Sequence, residues 1–279
     1  MKAYAKINLG LRILKKRPDG YHDIETVFHR VNIFDELSFE DADSISLAGS
    51  DALLPSDDTN LCIRAAKLLQ QHCNCRRGAR IILDKKIPVG AGLGGGSSDA
   101  AATLRALGQL WNLEISENKL IELALQLGSD VPYFLHSGAA YAKGRGEILE
   151  YFPLILPYWI VVVYPNIHIS TAWAYAQVQP DEGAGAFTLK DIVQQYWGDE
   201  EALSKYLNND FETVIKAHHP QIAEILDALK GSGAGLAQLS GSGSSVYGLF
   251  SREADVERFI RKLGNAYKTF ITPPRFEPY

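Results

Sequence analysis

The sequence predicts an α+β protein in two units, on three observations. Two long segments of period-two alternation, joined by a turn, open the chain. A short strand, a glycine loop and an alanine-rich helix follow in that order, and after Pro153-Leu-Ile-Leu-Pro157 a new set of strands and helices starts with Trp159-Ile-Val-Val-Val-Tyr164. At 279 residues, 46% of them hydrophobic, the chain can bury a sizeable core and is long enough for two domains. The expected division is 1–155 and 156–279; no low-complexity linker marks it, and no internal repeat is visible.

Taken in order, Ala3 to Leu14 alternates polar and apolar side chains and reads as a strand. Arg17-Pro18-Asp19-Gly20 is turn chemistry, because proline presets φ and glycine takes the left-handed corner. Tyr21 to Phe34 is again strand-like, so a hairpin or meander begins the protein. Asp57-Asp-Thr-Asn60 can cap a helix running to about His72. Ala79 to Leu83 is a strand-length apolar run. Ser116 caps an amphipathic helix that stops at Gly128. Ala139 to Lys143 suggests a strand, with a turn at Gly144 to Ile148, and Gln179 to Gly185 a flexible loop. Helices are expected at Glu201 to Leu207, Phe211 to His218, Pro220 to Lys230 and Glu253 to Leu263, with strands at Val246 to Phe250 and Tyr267 to Ile271.

Composition excludes several classes. A formal net charge of −5 argues against a nucleic-acid binder, whose phosphate affinity needs surplus lysine and arginine. No apolar run approaches the about 18 residues of a membrane span. Met1-Lys-Ala-Tyr-Ala-Lys-Ile-Asn8 has neither a signal-peptide core nor transit-peptide character, so a cytoplasmic address is expected. Three cysteines make no disulfide framework. His72-Cys73-Asn74-Cys75 invites a metal but lacks a second ligand pair, and its plainer reading is a helix end with reduced thiols.

The densest chemistry lies in Pro88-Val89-Gly90-Ala91-Gly92-Leu93-Gly94-Gly95-Gly96-Ser97-Ser98, five glycines and two hydroxyls ahead of the helix-favouring run Asp99 to Leu110. Glycines permit positive φ and close approach of a ligand to the main chain, Ser97 or Ser98 can cap the new helix, and a helix N-terminus offers N–H groups and a positive dipole end. The stretch therefore reads as an anion cradle, with phosphate the expected guest. Gly90-x-Gly92-x-x-Gly95 satisfies the dinucleotide fingerprint literally, but the positions where its acidic strand end belongs (Asn112, Leu113, Glu114) fall between two helices. Gly96 stands where a Walker A loop needs lysine, and the protein-kinase motifs are absent. Lys6 and Asn8 share one strand face; Lys6 also reads as an exposed lysine on a half-solvated strand. In Gly128-Ser129-Asp130-Val131-Pro132 the carboxylate either caps the next turn or is a desolvated base.

The eleven-residue pattern, followed by its alanine-rich helix, resembles the phosphate loop of the GHMP small-molecule kinases. Ala5-Lys6-Ile7-Asn8-Leu9, Pro18-Asp19-Gly20-Tyr21-His22 and Gly128 to Pro132 are similar to signatures of the branch of that family whose acceptor is a cytidylyl erythritol. Leu239-Ser-Gly-Ser-Gly-Ser-Ser245 is similar to the family's third, glycine-rich motif, and the resemblance runs in family order from position 5 to about 250. It implies a two-domain GHMP kinase fold: an ATP-binding domain at 1–155 like the second domain of ribosomal protein S5, a ferredoxin-like domain at 156–279, and an active site in the cleft between them. The activity implied is transfer of the γ-phosphoryl group of ATP, with Mg2+, to the 2-hydroxyl of a cytidylyl methylerythritol in non-mevalonate isoprenoid synthesis.

The resemblance also implies roles. Lys6 and Asp130 would be the catalytic pair, with Asp130 accepting the hydroxyl proton and Lys6 screening charge. Pro88 to Ser98 would wrap the triphosphate, with Lys85 and Asn60 near the nucleotide. Tyr21 and Tyr175 would stack on cytosine, His22 would hydrogen-bond its edge, and Asn8 would position Asp130 and substrate. Read from the residues alone, Lys85 is equally a solvated strand-end charge, Asn60 a helix cap and Tyr175 a helical core residue. No carboxylate pair is spaced like a dedicated magnesium site, and Ser98 is a candidate partner for the ion. A monomer or weak homodimer is expected. The residues leave open a sibling kinase acting on homoserine or a mevalonate derivative, a dinucleotide oxidoreductase, or a nucleotide module without catalysis; Lys6 and Asp130 favour a kinase, and Tyr21-His22 the cytidylyl acceptor.

Overall fold

A computed structural model describes residues 1–50, 54–180 and 187–278; positions 181–185 of the loop expected at Gln179 to Gly185 lie outside them. The chain forms two compact units. The first comprises Met1–Ala5, Ile33–Val89 and Gly94–Ser137; the second comprises Lys6–Asn32, Gly90–Leu93 and Gly138–Tyr279. Two long strands, β1 (Lys2–Lys16) and β2 (His22–Ala42), contribute residues to both.

In the first unit, β3 (Ile45–Gly49) lies parallel to β4 (Gly78–Asp84), and the end of β2 pairs antiparallel on the other side of β4, from Glu36 opposite Asp84 to Ala42 opposite Gly78. Alternation along β4 buries Ile81 and Leu83 and exposes Arg80 and Asp84, as a half-covered sheet requires. The helices α1 (Leu61–Cys73), α2 (Gly95–Leu110) and α3 (Glu117–Leu127) pack against one another. Asn60 caps α1, its Oδ1 accepting from Cys62 N at 2.8 Å. The helix ends on Asn74, left-handed at φ 49, whose N–H reaches Gln70 O, so His72-Cys73-Asn74-Cys75 is a helix end, with Cys73 and Cys75 free thiols.

Helix α2 corrects one expectation. Its N-cap is Gly94, at φ 70 and ψ 16 with no side-chain cap bond, and Ser97 and Ser98 lie inside the first turn. Glycine reaches the left-handed corner without steric cost, so the helix closes before either serine, and Ser98 N donates to Gly94 O at 2.9 Å. At its far end Trp111 Nε1 donates to Gly78 O at 3.1 Å and pins α2 to β4. Ser116 caps α3, Gly128 ends it, and a single 3₁₀ turn follows at Pro132–Leu135.

In the second unit, β2 pairs with β5 (Ala139–Lys143) from Thr26 opposite Ala142 to Phe28 opposite Ala140, and β6 (Ile148–Phe152) pairs with β5. A four-stranded antiparallel sheet has the order β10-β7-β9-β8, from β7 (Trp159–Tyr164), β8 (Leu236–Leu239), β9 (Val246–Phe250) and β10 (Lys268–Thr272). The helices here are α4 (Thr171–Gln177), α5 (Leu189–Tyr196), α6 (Glu200–Tyr206), α7 (Glu212–His218), α8 (Pro220–Gly231) and α9 (Glu253–Leu263). Val161, Val163 and Phe250 of the sheet pack with Leu226, Leu229 and Phe259 of the helices and with Leu11 and Ile13 of β1. Strands β3, β6 and β8 and helix α5 go beyond the sequence expectation. β8 is four residues long and buried throughout, so it carries no alternation to read.

One buried group makes the fold sensitive to acid. His29 of β2 is enclosed, and burial pushes its pKa from 6.5 to about 4, with backbone bonds at Arg30 and Leu154 opposing only in part. Between those two values the unfolded chain binds a proton that the folded chain refuses, so stability falls as pH drops through that window. The group's share of the loss is about 3 kcal/mol. Denaturant unfolding from pH 7 to pH 4 should show a shallower decline for His29→Gln than for the parent; equal slopes would remove His29 as the cause.

Candidate active site

In the first unit, a buried ion cluster ties together the two flanks of the glycine stretch. Asp35 of β2 accepts the backbone N–H of Lys86 at 2.6 Å and of Ile87 at 2.8 Å through Oδ1, and the Lys85 ammonium at 2.6 Å through Oδ2. The same ammonium donates to Asp99 Oδ2 of α2 at 2.7 Å. The three side chains are 0%, 5% and 3% exposed for Asp35, Lys85 and Asp99, so the contacts are made away from water. Burial works against the Lys85 charge, but Asp99 and Asp35 together outweigh it and hold its pKa above the ordinary lysine value. Burial, opposed by Lys85 and reinforced by Asp35, raises the Asp99 carboxyl to about 7. Burial, reinforced by Asp99, pushes the nearby Cys62 thiol up to about 12, which makes it an inert core residue.

The cluster shapes the loop. A Cβ on Gly95 would stand 2.8 Å from Ile87 Cγ2 and 3.0 Å from Lys85 Nζ, so only glycine fits where α2 starts against the strand end. The N–H groups of Gly95, Gly96 and Ser97 precede the first intrahelical bond and form the donor end of α2, with Gly96 exposed and Ser98 buried. Asn60 has its amide engaged at both ends, with Cys62 N and with Pro55 O, in the capping role. Asp130 is half-buried in the turn between Gly128 and the 3₁₀ segment.

In the second unit, the short piece Gly90–Leu93 meets the second glycine cluster. Ser240 Oγ donates to Gly92 O at 3.0 Å, Ser245 N to Ala91 O at 3.1 Å, and Lys6 N to Leu93 O at 2.9 Å. Gly92 has φ 77, and a Cβ there would overlap Ser240 O. Beside this junction the Lys6 ammonium donates to Asn8 Oδ1 at 2.7 Å and lies 4.9 Å from the Phe28 ring centre. Lys6 is 4% exposed, so its partners and not solvent define its position. Asn209 holds the second cluster from behind, its amide donating to Leu239 O and Gly241 O at 2.9 Å each.

The aromatic residues form two groups. His22 stacks on Tyr175, with ring centres 4.8 Å apart and planes 15° from parallel, and Tyr175 meets Phe211 edge-on at 4.9 Å. Tyr21 is exposed, with the Arg145 guanidinium 4.9 Å from its ring centre. Burial, with the Lys16 charge second, holds His22 below the usual imidazole value, so at neutral pH its ring is uncharged and can both donate and accept. No base can enter between His22 and Tyr175 at their present spacing.

Among the described residues no three His, Cys, Asp or Glu side chains come together as a metal site. A magnesium ion carried by ATP keeps several waters and leans on phosphate oxygens, so it needs few protein ligands; Ser98 lies in the first turn of α2, beside the donor end of that helix. Sequence reading missed Asp35, Asp99, Thr26 and Asn209. The signal for Asp99 was a charge inside an otherwise apolar helical run, and that for Asp35 a charge interrupting the apolar face of β2.

Comparison with known proteins follows the same lines. The GHMP kinases N terminal domain model matches residues 60–138 and the GHMP kinases C terminal model residues 188–269. The chain is 48% identical over 278 residues to 4-diphosphocytidyl-2-C-methyl-D-erythritol kinase of Prosthecochloris aestuarii, covering 99% of this chain and 97% of that one. It is 46% identical to the enzyme of the same name from Chlorobaculum tepidum, with the same two coverages. A crystal structure of 4-(cytidine 5'-diphospho)-2C-methyl-D-erythritol kinase superimposes with a TM-score of 0.80 at 34% identity over 98% of both chains. A crystal structure of mevalonate kinase gives 0.76 at 16% identity, covering 100% of this chain and 99% of that one, a likeness of fold alone.

Proposed function

The chain belongs to the 4-diphosphocytidyl-2-C-methyl-D-erythritol kinases of the GHMP kinase family, and from that premise we propose how its own residues transfer the γ-phosphoryl group of ATP to the 2-hydroxyl of the cytidylyl acceptor. The observation that carries the proposal is the junction of the two glycine clusters beside a buried lysine, where Ser240 meets Gly92 and the Lys6 ammonium rests on Asn8. Phosphoryl transfer is mostly alignment and neutralisation of charge on the oxygens in flight, so backbone N–H donors and a fixed ammonium suit it.

In the proposed division of labour, Pro88 to Ser98 wraps the triphosphate and the N–H groups of Gly95, Gly96 and Ser97 face its oxygens. Asp130 accepts the proton of the attacking hydroxyl, and Lys6 offsets the negative charge that develops there. The Lys85 ammonium, engaged by Asp35 and Asp99, serves the nucleotide by setting the shape of the loop, and Asn60 by anchoring α1. Tyr21, His22 and Tyr175 receive the cytosine, with the outer face of the His22–Tyr175 stack and the Tyr21 ring as platforms, and Asn8 positions the acceptor beside Lys6. A magnesium ion bound with ATP would neutralise phosphate charge, with the Ser98 hydroxyl as this chain's contribution. An ATP-binding domain at 1–155 and a second domain at 156–279 are proposed, a division supported by family matches that fall one on each side of it. A cytoplasmic protein that is monomeric or weakly dimeric completes the proposal.

The test is ADP release with the cytidylyl erythritol, run beside mevalonate and homoserine. ADP is expected with the first acceptor alone. Equal release with mevalonate or homoserine would overturn the choice of acceptor, and none with any acceptor would overturn the kinase assignment.

A further inference from the structure

Thr26 lies on β2, fully buried, and carries none of the roles above. Its hydroxyl donates to Gly10 O at 2.6 Å. A hydroxyl has one hydrogen, so toward its other neighbour Thr26 Oγ1 can only accept. That neighbour is Asn8, whose Nδ2 donates to Thr26 Oγ1 at 3.0 Å. With the amide nitrogen drawn to Thr26, the amide oxygen necessarily faces the other way, where the Lys6 ammonium donates to it at 2.7 Å. The backbone on either side is pinned as well: Tyr247 Oη is 2.9 Å from Asn8 O, and Gly10 N donates to Gln238 Oε1 at 3.3 Å. Asn8 is 2% exposed and Lys6 4%, so water offers little alternative to this chain of bonds.

We infer that Thr26 is a positioning residue for phosphoryl transfer: by committing its proton to Gly10 it fixes which end of the Asn8 amide meets Lys6, and so where the Lys6 charge stands. An asparagine with no such anchor can rotate its amide and present N–H to an ammonium, which repels it. The inference rests on the catalytic reading of Lys6.

The test compares Thr26→Val, which keeps shape and removes the hydroxyl, with Thr26→Ser, which keeps both bonds. For Thr26→Val, kcat is expected to fall about tenfold or more, in the range by which small misplacements of catalytic groups slow enzymes, while KM for ATP moves by less than about threefold. Thr26→Ser should recover most of the lost kcat. Thr26→Val with parental kcat would overturn the inference, as would a loss that Thr26→Ser shares in full. If Thr26→Val does not fold, Thr26→Cys takes its place: its weak acceptor should give a partial loss of kcat, and parental kcat there overturns the inference. Lys6→Met separates the two ideas. Parental kcat in Lys6→Met removes the reading on which the inference stands, whereas loss in Lys6→Met with parental kcat in Thr26→Val removes Thr26 alone.

Discussion

Asp130→Asn is expected to lower kcat by ~10²–10⁴, the usual range for loss of a general base, while KM for ATP stays near the parental value. The amide has the shape of the carboxylate and cannot take a proton. Backbone bonds from Val131 N to Gly128 O at 3.2 Å and from Phe134 N to Val131 O at 3.1 Å form the turn that carries Asp130. Steady-state kinetics with both substrates varied, together with ATP binding by calorimetry, measure the two parts separately. Near-parental turnover would take Asp130 out of the mechanism, and loss of ATP binding along with turnover would assign it to nucleotide binding.

Lys85→Met is expected to destabilise the protein by about 3–5 kcal/mol at pH 8, the cost of leaving buried carboxylates without their counter-charge. Asp35 and Asp99 would then share one apolar site with no cation between them. The sign of the pH dependence follows from Asp99, whose folded-state carboxyl is already raised to about 7, by burial first and by Asp35 as well, with Lys85 as the opposing influence. A group raised in the folded state contributes stability below its unfolded value near 4 and loses it as pH rises through the folded value. Removing Lys85 strengthens that trend, so the deficit should shrink on going from pH 8 to pH 5, where the carboxyl takes up a proton. Denaturant melts at both pH values check this, and a deficit independent of pH would show that lost packing, not lost charge, is the cause.

Much of this site was legible in the sequence, and the limits have a common origin. The glycine stretch announces itself because φ 66, 77 and 70 at Gly90, Gly92 and Gly94 suit glycine above other residues. Lys6 and Asn8 were readable as one strand face because side chains alternate with period two. The helix cap at Gly94 was not, since serine is the better cap by propensity and only the left-handed turn ahead of it decides the matter. The buried cluster joins positions 35, 85 and 99, and no local pattern records a bond across that much chain. Thr26 was hidden for the same reason: on a buried strand it reads as an ordinary β-branched residue, and only its two partners reveal which way its proton points. Lys85 shows how little position alone says of a side chain, since a strand-end lysine beside a phosphate loop invites a direct contact with nucleotide while its ammonium is engaged by two carboxylates.

This chain moves one phosphoryl group from ATP to the 2-hydroxyl of a cytidylyl methylerythritol. Phosphorus NMR of the reaction mixture tests it most directly. One new phosphomonoester signal is expected, coupled to neither phosphorus of the diphosphate and formed in step with ADP, with the carbon-2 resonance of the erythritol shifted. ADP formed together with free phosphate and no new ester, or an ester on a different hydroxyl, would contradict it.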